Sequence, residues 1–156
     1  MIFYDLSKLP ALISVRGFRT SQRLRALSPA GPRYLALHSV ADLAVLQSAE
    51  YQAKGGGNFA RWQPHITDWR RNLYAGLERA PEVAADELLA LSAVGPASLL
   101  GCGLRPWSLA AVALDQAPQQ RWLATLKRAA CAQIEAIPPD VCLYMPITQQ
   151  LVSADA

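Results

Sequence analysis

Two segments near the start of the chain alternate between apolar and polar residues with a period of two, which predicts strands. In residues 33–40, Leu35 and Leu37 are predicted on one face and Tyr34, Ala36 and His38 on the other, so a phenol and an imidazole share a face. In residues 18–26, a less charged face opposes a mostly charged one: Phe18, Thr20, Gln22 and Leu24 against Arg19, Ser21, Arg23 and Arg25. The Ser, Pro and Gly residues at 28–32 predict a turn, so we expect an antiparallel hairpin.

The rest of the first half of the chain has a mostly helical pattern. An apolar stripe predicts a short helix over residues 3–14, and residues 41–54 are also predicted as a helix, which the glycine triplet at 55–57 ends. Aromatic and aliphatic residues recur at spacings of three and four over residues 59–73, which predicts another amphipathic helix. Residues 72–78 fit either a helix or a strand, and periodicity alone leaves both open.

The second half begins after residues 80–86, which have the composition of a linker. After residue 114, a helix is predicted that begins at an Asp115 cap, has a buried stripe extending to Ile134 and is ended by Pro138-Pro139. Three further segments are predicted as strands: residues 87–94, 107–114 and 141–147. The order of elements favours an α+β fold with helices on one face of an antiparallel sheet.

Composition supports a globular protein, because 52% of the 156 residues are hydrophobic and only 17% are charged. No apolar run approaches the roughly 20 residues that span a bilayer, and the N-terminus has no basic region before an apolar stretch. We therefore expect a soluble, cytoplasmic protein without a membrane partner. The three cysteines form no close pair and have no metal-ligand spacing, so neither a disulfide framework nor a metal site is predicted.

Five arginines fall between residues 16 and 33 without an acidic residue among them, although the net charge of the chain is only +3. Such a run could follow a phosphate backbone, or it could be a solvated strand edge that resists aggregation. The segment lacks the interleaved aromatic residues that stack on bases. We therefore favour the solvated edge and expect no nucleic-acid partner.

Five short motifs occur in a characteristic order: Phe3-Tyr4-Asp5 with Lys8-Leu9-Pro10, Gly17-Phe18, Arg33-Tyr34-Leu35-Ala36-Leu37, Ser48-Ala49-Glu50-Tyr51 and Pro64-His65-Ile66-Thr67-Asp68. In this order the chain resembles EthD-like proteins of the dimeric α+β barrel superfamily. The resemblance implies a ferredoxin-like unit over residues 1–80 that lacks its first strand. It also implies a second, shortened unit over residues 87–152, with both units in one compact domain. In that superfamily, sheets pair face to face around a cavity, so a homodimer is expected.

On the same resemblance, Leu35 and Leu37 would face the helices, and a second set of side chains would line the cavity. That set comprises Tyr34 and His38 as catalytic candidates and Phe18, Thr20 and Gln22 as substrate-binding candidates. Histidine suits acid/base chemistry because its unperturbed pKa of about 6.5 allows proton exchange near neutral pH. The alternative is a histidine that is simply satisfied in a core or interface.

A second candidate group surrounds His65. Asp68 follows it at the i+3 spacing, which brings the two side chains together on a helix, where a carboxylate would favour the charged imidazole. Trp62 and Trp69 could contact a substrate there, or they could be core or dimer contacts. The alternative for His65 and Asp68 is a helix start, with Asp68 as a solvated first-turn carboxylate.

Two functions follow from these expectations. The first is a cofactor-free enzyme, such as an isomerase, cyclase, decarboxylase or monooxygenase, acting on a hydrophobic aromatic or polyketide-like molecule. The second is a non-catalytic ligand-binding or dimer-assembly protein. We expect no cofactor; haem, which some relatives in the superfamily bind, would need His38 or His65 as an axial ligand. The glycine triplet at 55–57 is not a phosphate-binding loop, since no strand precedes it and no lysine follows.

Overall fold

The structure is a computed structural model that describes residues 8–29, 31–56, 64–66 and 69–154. These residues form short helices and eight strands, in the order α1 (Leu9–Ile13), β1 (Phe18–Ala26), β2 (Tyr34–Val40), α2 (Leu43–Gln47), α3 (Ala49–Ala53), β3 (Asn72–Ala75), β4 (Glu87–Ser92), α4 (Ala97–Gly101), β5 (Trp107–Leu114), β6 (Gln120–Lys127), α5 (Arg128–Cys131), β7 (Val141–Pro146) and β8 (Leu151–Val152). None of the described helices has the length and apolar character needed to cross a membrane.

All strands belong to one curled antiparallel sheet, a half-barrel, in the order β2-β1-β7-β4-β6-β5-β3. The short strand β8 pairs with β1 beyond the end of β7. Strands from both halves of the chain are interleaved, because β7 lies between β1 and β4. The predicted α+β class is confirmed in this form.

Several predicted elements are present at nearly the predicted bounds. Strands β1 and β2 form the predicted antiparallel hairpin. Strands β4, β5 and β7 occur where strands were predicted, and of the two alternatives for residues 72–78 the structure has a strand, β3. The helix predicted over residues 41–54 is divided into α2 and α3, because Ser48 adopts an extended conformation and accepts a hydrogen bond from the first turn of α3.

The helix predicted from Asp115 to Ile134 is wrong. Strand β6 (Gln120–Lys127) occupies the middle of this segment and pairs with both β4 and β5, and only the four residues of α5 within it are helical. Trp122 and Leu126 are four residues apart, a spacing that fits one helix face and one strand face equally well. Instead of capping a helix, Asp115 accepts a hydrogen bond from the backbone N–H of Arg71 at 2.6 Å.

The sheet is covered by apolar side chains on both faces. The inner core includes residues from β1, β4, β5, β6 and β7: Leu24, Leu89, Leu91, Leu109, Leu123 and Tyr144, with Val83 from the β3–β4 connection. On the outer face, α4 packs over β4, β6 and β7 through Leu99. Helices α1, α2 and α3 pack near Phe18 of β1 through Leu12, Val45 and Tyr51.

Gln22 ties three parts of the chain together inside the inner core. Its side chain is fully buried, and Nε2 donates to the carbonyls of Val83 at 2.8 Å and Thr148 at 3.1 Å. Its Oε1 accepts from the backbone N–H of Val83 at 3.0 Å. The amide therefore satisfies backbone groups that the β3–β4 connection and the β7–β8 link could not otherwise pair.

We expect Gln22→Ala to destabilise the protein by about 2–4 kcal/mol, because it leaves buried backbone groups of Val83 unpaired and opens a cavity. The same change at Gln52, an exposed residue of α3, should cost less than about 0.5 kcal/mol. Urea unfolding of the two variants beside the wild type measures both values. Equal stability of the two variants would contradict the role given to Gln22.

Candidate functional site

The curl of the sheet leaves a cleft of about 600 Å³ beside both edge strands, β2 and β3. The cleft, which we call the edge cleft, is lined by the end of β2, the start of α2, β3 with its following loop, and parts of β1 and β5: Arg19, residues 40–43, residues 73–78, Val112 and Ala113. Its size falls within the range of roughly 300–1,000 Å³ that is typical of small-molecule pockets. A single small molecule therefore fits the space between the two edges.

The polar side chains of the edge cleft already have partners. Arg19 Nη1 lies 2.8 Å from Glu78 Oε1 in an ion pair at the rim. Asp42 accepts a hydrogen bond from the first turn of α2 as its N-cap. The hydroxyl of Tyr74 donates to the carbonyl of Pro118 at 2.8 Å. Most other lining residues are aliphatic, so the cleft offers an apolar surface with a charged rim.

His38 lies on the outer face of β2, away from the edge cleft. Its Nδ1 is 2.8 Å from the hydroxyl oxygen of Ser21, which lies directly opposite on β1. The ring packs edge-on against Phe18 at 5.6 Å, and Phe18 in turn stacks on Tyr51 at 5.9 Å. Burial lowers the pKa of His38 to about 4, so the imidazole is neutral at pH 7.

Thr20 and Gln22 do not share a face with Tyr34 and His38, and that part of the sequence-based prediction is wrong. The register places Thr20 opposite Ser39 and Gln22 opposite Leu37, so both point toward the inner face. Residues directly opposite each other in an antiparallel pair share a face. The register therefore decides which residues meet, and alternation within each strand does not.

Phe18 joins His38 although it precedes Thr20 by two residues. The β1–β2 register shifts between Phe18 and Thr20, and this irregularity turns Phe18 to the outer face beside α1 and α3. Tyr34 lies on the same face but at the other end of β2, and the guanidinium groups of two arginines contact its ring. The structure thus brings Phe18 and His38 together and leaves Tyr34 apart.

The group around His65 is described only in part. His65 and Trp69 are exposed, with 40% of the Trp69 side chain accessible to solvent. Trp62 and Asp68 lie outside the described residues, so the pairing of His65 with Asp68 stays a prediction. Among the described residues, no three His, Cys, Asp or Glu side chains are grouped to hold a metal ion.

A second, smaller depression of about 300 Å³ lies on the outer face between β4, β7 and α5. Leu27, Leu88 and Met145 form its apolar walls, and Cys131 borders it. All three cysteines are free thiols. This depression has half the volume of the edge cleft and therefore less room for a ligand. We base the functional interpretation on the edge cleft.

Sequence analysis missed the residues that line the edge cleft, including Arg19, Asp42, Tyr74 and Glu78. They come from segments that are far apart along the chain and meet only through the curl of the sheet. The one available signal was the alternation in residues 72–78, which allowed a strand there.

Comparisons of the chain with protein-family models, with curated proteins and with solved structures found no match.

The neutral His38 predicts a pH-dependent stability. Because its folded pKa of about 4 is below the unfolded value of about 6.5, the unfolded chain binds the proton more tightly. The stability that neutral His38 gives the folded state is therefore fully present above pH 6.5 and is lost as the pH falls from 6.5 toward 4. From pH 7 to pH 4.5, the wild type should lose roughly 2–3 kcal/mol more unfolding free energy than His38→Gln, which cannot titrate.

Urea unfolding of both proteins from pH 7 to pH 4.5 measures this difference in unfolding free energy. The carboxylates titrate in both proteins, so their effect cancels in the comparison. A histidine NMR titration of the folded wild type reports the pKa itself. Parallel stability curves for the two proteins would show that His38 is not held neutral by burial.

Proposed function

We propose that the protein binds a hydrophobic small molecule in the edge cleft without transforming it. The observation that carries the proposal is an open space of about 600 Å³ lined mainly by aliphatic side chains between two sheet edges. Such an apolar surface, with a few polar groups at its rim, is typical of small-molecule sites. A ligand with an apolar body and a polar end at the Arg19–Glu78 pair would match this distribution.

Two features favour binding over acid/base turnover. Among the described residues that line the edge cleft there is no histidine or cysteine, and the two carboxylates there, Asp42 and Glu78, are engaged in a helix cap and an ion pair. His38 is outside the cleft and is neutral with a pKa of about 4, so it is a poor proton acceptor near pH 7. An enzyme that uses Tyr34, His38, His65 or Asp68 is therefore the less favoured alternative.

The inner face is also an unfavourable place for a ligand. The inner core is filled by leucines from four strands and by Tyr144, which is 1% exposed. A cavity enclosed between two paired sheets would need that face to be open. Membership of the EthD-like group and pairing into a homodimer therefore stay predictions, and the proposed site is complete within one chain.

The test is binding of Nile red, a neutral apolar dye whose fluorescence rises in an apolar site. Ala75 is an exposed residue of β3 that lines the edge cleft, so Ala75→Phe should fill the space and lower dye affinity at least tenfold. Ala36→Phe is the matched control, because Ala36 is an exposed residue of the other edge strand that lies outside the cleft. Unfolding curves of both variants should remain close to that of the wild type.

Equal dye affinity in the two variants would place the apolar site elsewhere. For turnover, candidate aromatic ketones and acids that displace the dye are incubated with the protein and recovered for mass spectrometry. Recovery of the unchanged compound is expected, whereas a product that depends on His38 would favour the enzyme.

A further inference from the structure

The end of the β1–β2 hairpin carries a cluster of cations around one phenol ring. The guanidinium carbons of Arg23 and Arg33 lie 5.3 Å and 5.5 Å from the centroid of the Tyr34 ring. Arg25 lies directly opposite Tyr34 in the strand register. Arg23 is buried and has further contacts, whereas Arg25 and Arg33 are exposed. Two guanidinium groups thus contact one ring, and a third arginine is its cross-strand neighbour on the outer face.

Within the part of the chain that the structure describes, no carboxylate pairs with the two exposed members of this cluster. Among the described residues, no carboxylate lies within ion-pair distance of Arg25 or Arg33, while other basic side chains, such as Arg19 and Lys54, are paired with glutamates. Arg25 Nη2 donates a hydrogen bond to the sulfur of Met145 at 3.5 Å. Like charges close together repel one another unless an anion neutralises them. An anionic ligand would remove that repulsion.

The arginines at this end of the hairpin form a local cluster and not a line of cations along the strand. Of the five arginines between residues 16 and 33, Arg19 pairs with Glu78, and Arg16 lies beside the carboxylate of Glu50, which accepts a hydrogen bond from the backbone N–H of Arg16 at 3.2 Å. A line of phosphate contacts along a nucleic acid is therefore not formed. The ring of Tyr34 is also occupied by guanidinium groups, which leaves it poorly placed to stack on a base.

We propose that Arg25 and Arg33, positioned around Tyr34, form a binding site for the phosphoryl group of a small phosphorylated molecule. Guanidinium groups present forked N–H donors that match the oxygens of a phosphate. Contact with the Tyr34 ring orients Arg33 before the ligand arrives, which reduces the ordering cost of binding. The site is on the outer face and is independent of the edge cleft, so it goes beyond the function proposed above.

The experiment measures pyrophosphate binding by calorimetry at constant ionic strength, because salt screens exposed charges. The wild type should bind saturably with one site per chain. The double variant Arg25→Gln/Arg33→Gln should bind at least tenfold more weakly. The matched control is Arg79→Gln/Arg105→Gln, which removes the same charge from two exposed positions and should keep the wild-type affinity.

An NMR titration of the arginine Nε–Hε resonances locates the bound pyrophosphate. The resonances of Arg25 and Arg33 should shift on addition of pyrophosphate, whereas those of Arg79 and Arg105 should not. Absence of saturable binding, or equal weakening in both double variants, would overturn the proposal. If a short DNA duplex binds more tightly than pyrophosphate at equal phosphate concentration, the ligand of this site is a nucleic acid and the proposal of a small phosphorylated ligand is wrong. Nile red binding by Arg25→Gln/Arg33→Gln should be unchanged, which separates this site from the edge cleft.

Discussion

The position of β7 between β1 and β4 is the constraint on which the rest of the structure depends. Its pairing with β1 covers only Leu24 to Ala26, after which Pro146 ends the strand. Thr148 then continues the contact, because its hydroxyl accepts a hydrogen bond from the backbone N–H of Arg23 at 3.0 Å, before β8 resumes the pairing. One interrupted strand near the C-terminus thus joins the N-terminal hairpin to the rest of the sheet.

A single curled sheet with a filled inner face leaves its largest open space beside the edge strands. The inner core uses the concave side of all the central strands, so space is left where the curl brings β2 and β3 to the two sides of the edge cleft. Open strand edges also present unpaired backbone groups that can recruit other chains. Arginines of the hairpin lie at these edges. Arg19 forms the ion pair at the rim of the edge cleft, and exposed cations near a strand edge disfavour pairing with the edge of another sheet.

His38 illustrates how a chemically suggestive residue acquires a structural role. Alternation along β2 predicted that His38 would share a pocket with Tyr34. In the structure, the β1–β2 register places it opposite Ser21, and the register shift after Phe18 brings it against the Phe18 ring. Enclosed by these groups, the imidazole loses more from desolvation than it gains from any charge, so its pKa falls. The acid/base capacity of a side chain is therefore a property of its surroundings.

The sequence by itself determined the local elements whose patterns are unambiguous: the hairpin over residues 18–40, the strands β4, β5 and β7, and the α+β class. It failed at β6, because Trp122 and Leu126 are spaced so that they share a face in a helix and in a strand alike. Only the tertiary structure decided the strand order, the β1–β2 register and the edge cleft. These depend on contacts between residues far apart along the chain, such as Gln22 with Thr148 and Val40 facing the same cleft as Leu73. Local periodicity carries information about faces and elements, whereas the pairing of distant strands is set by how the whole core packs.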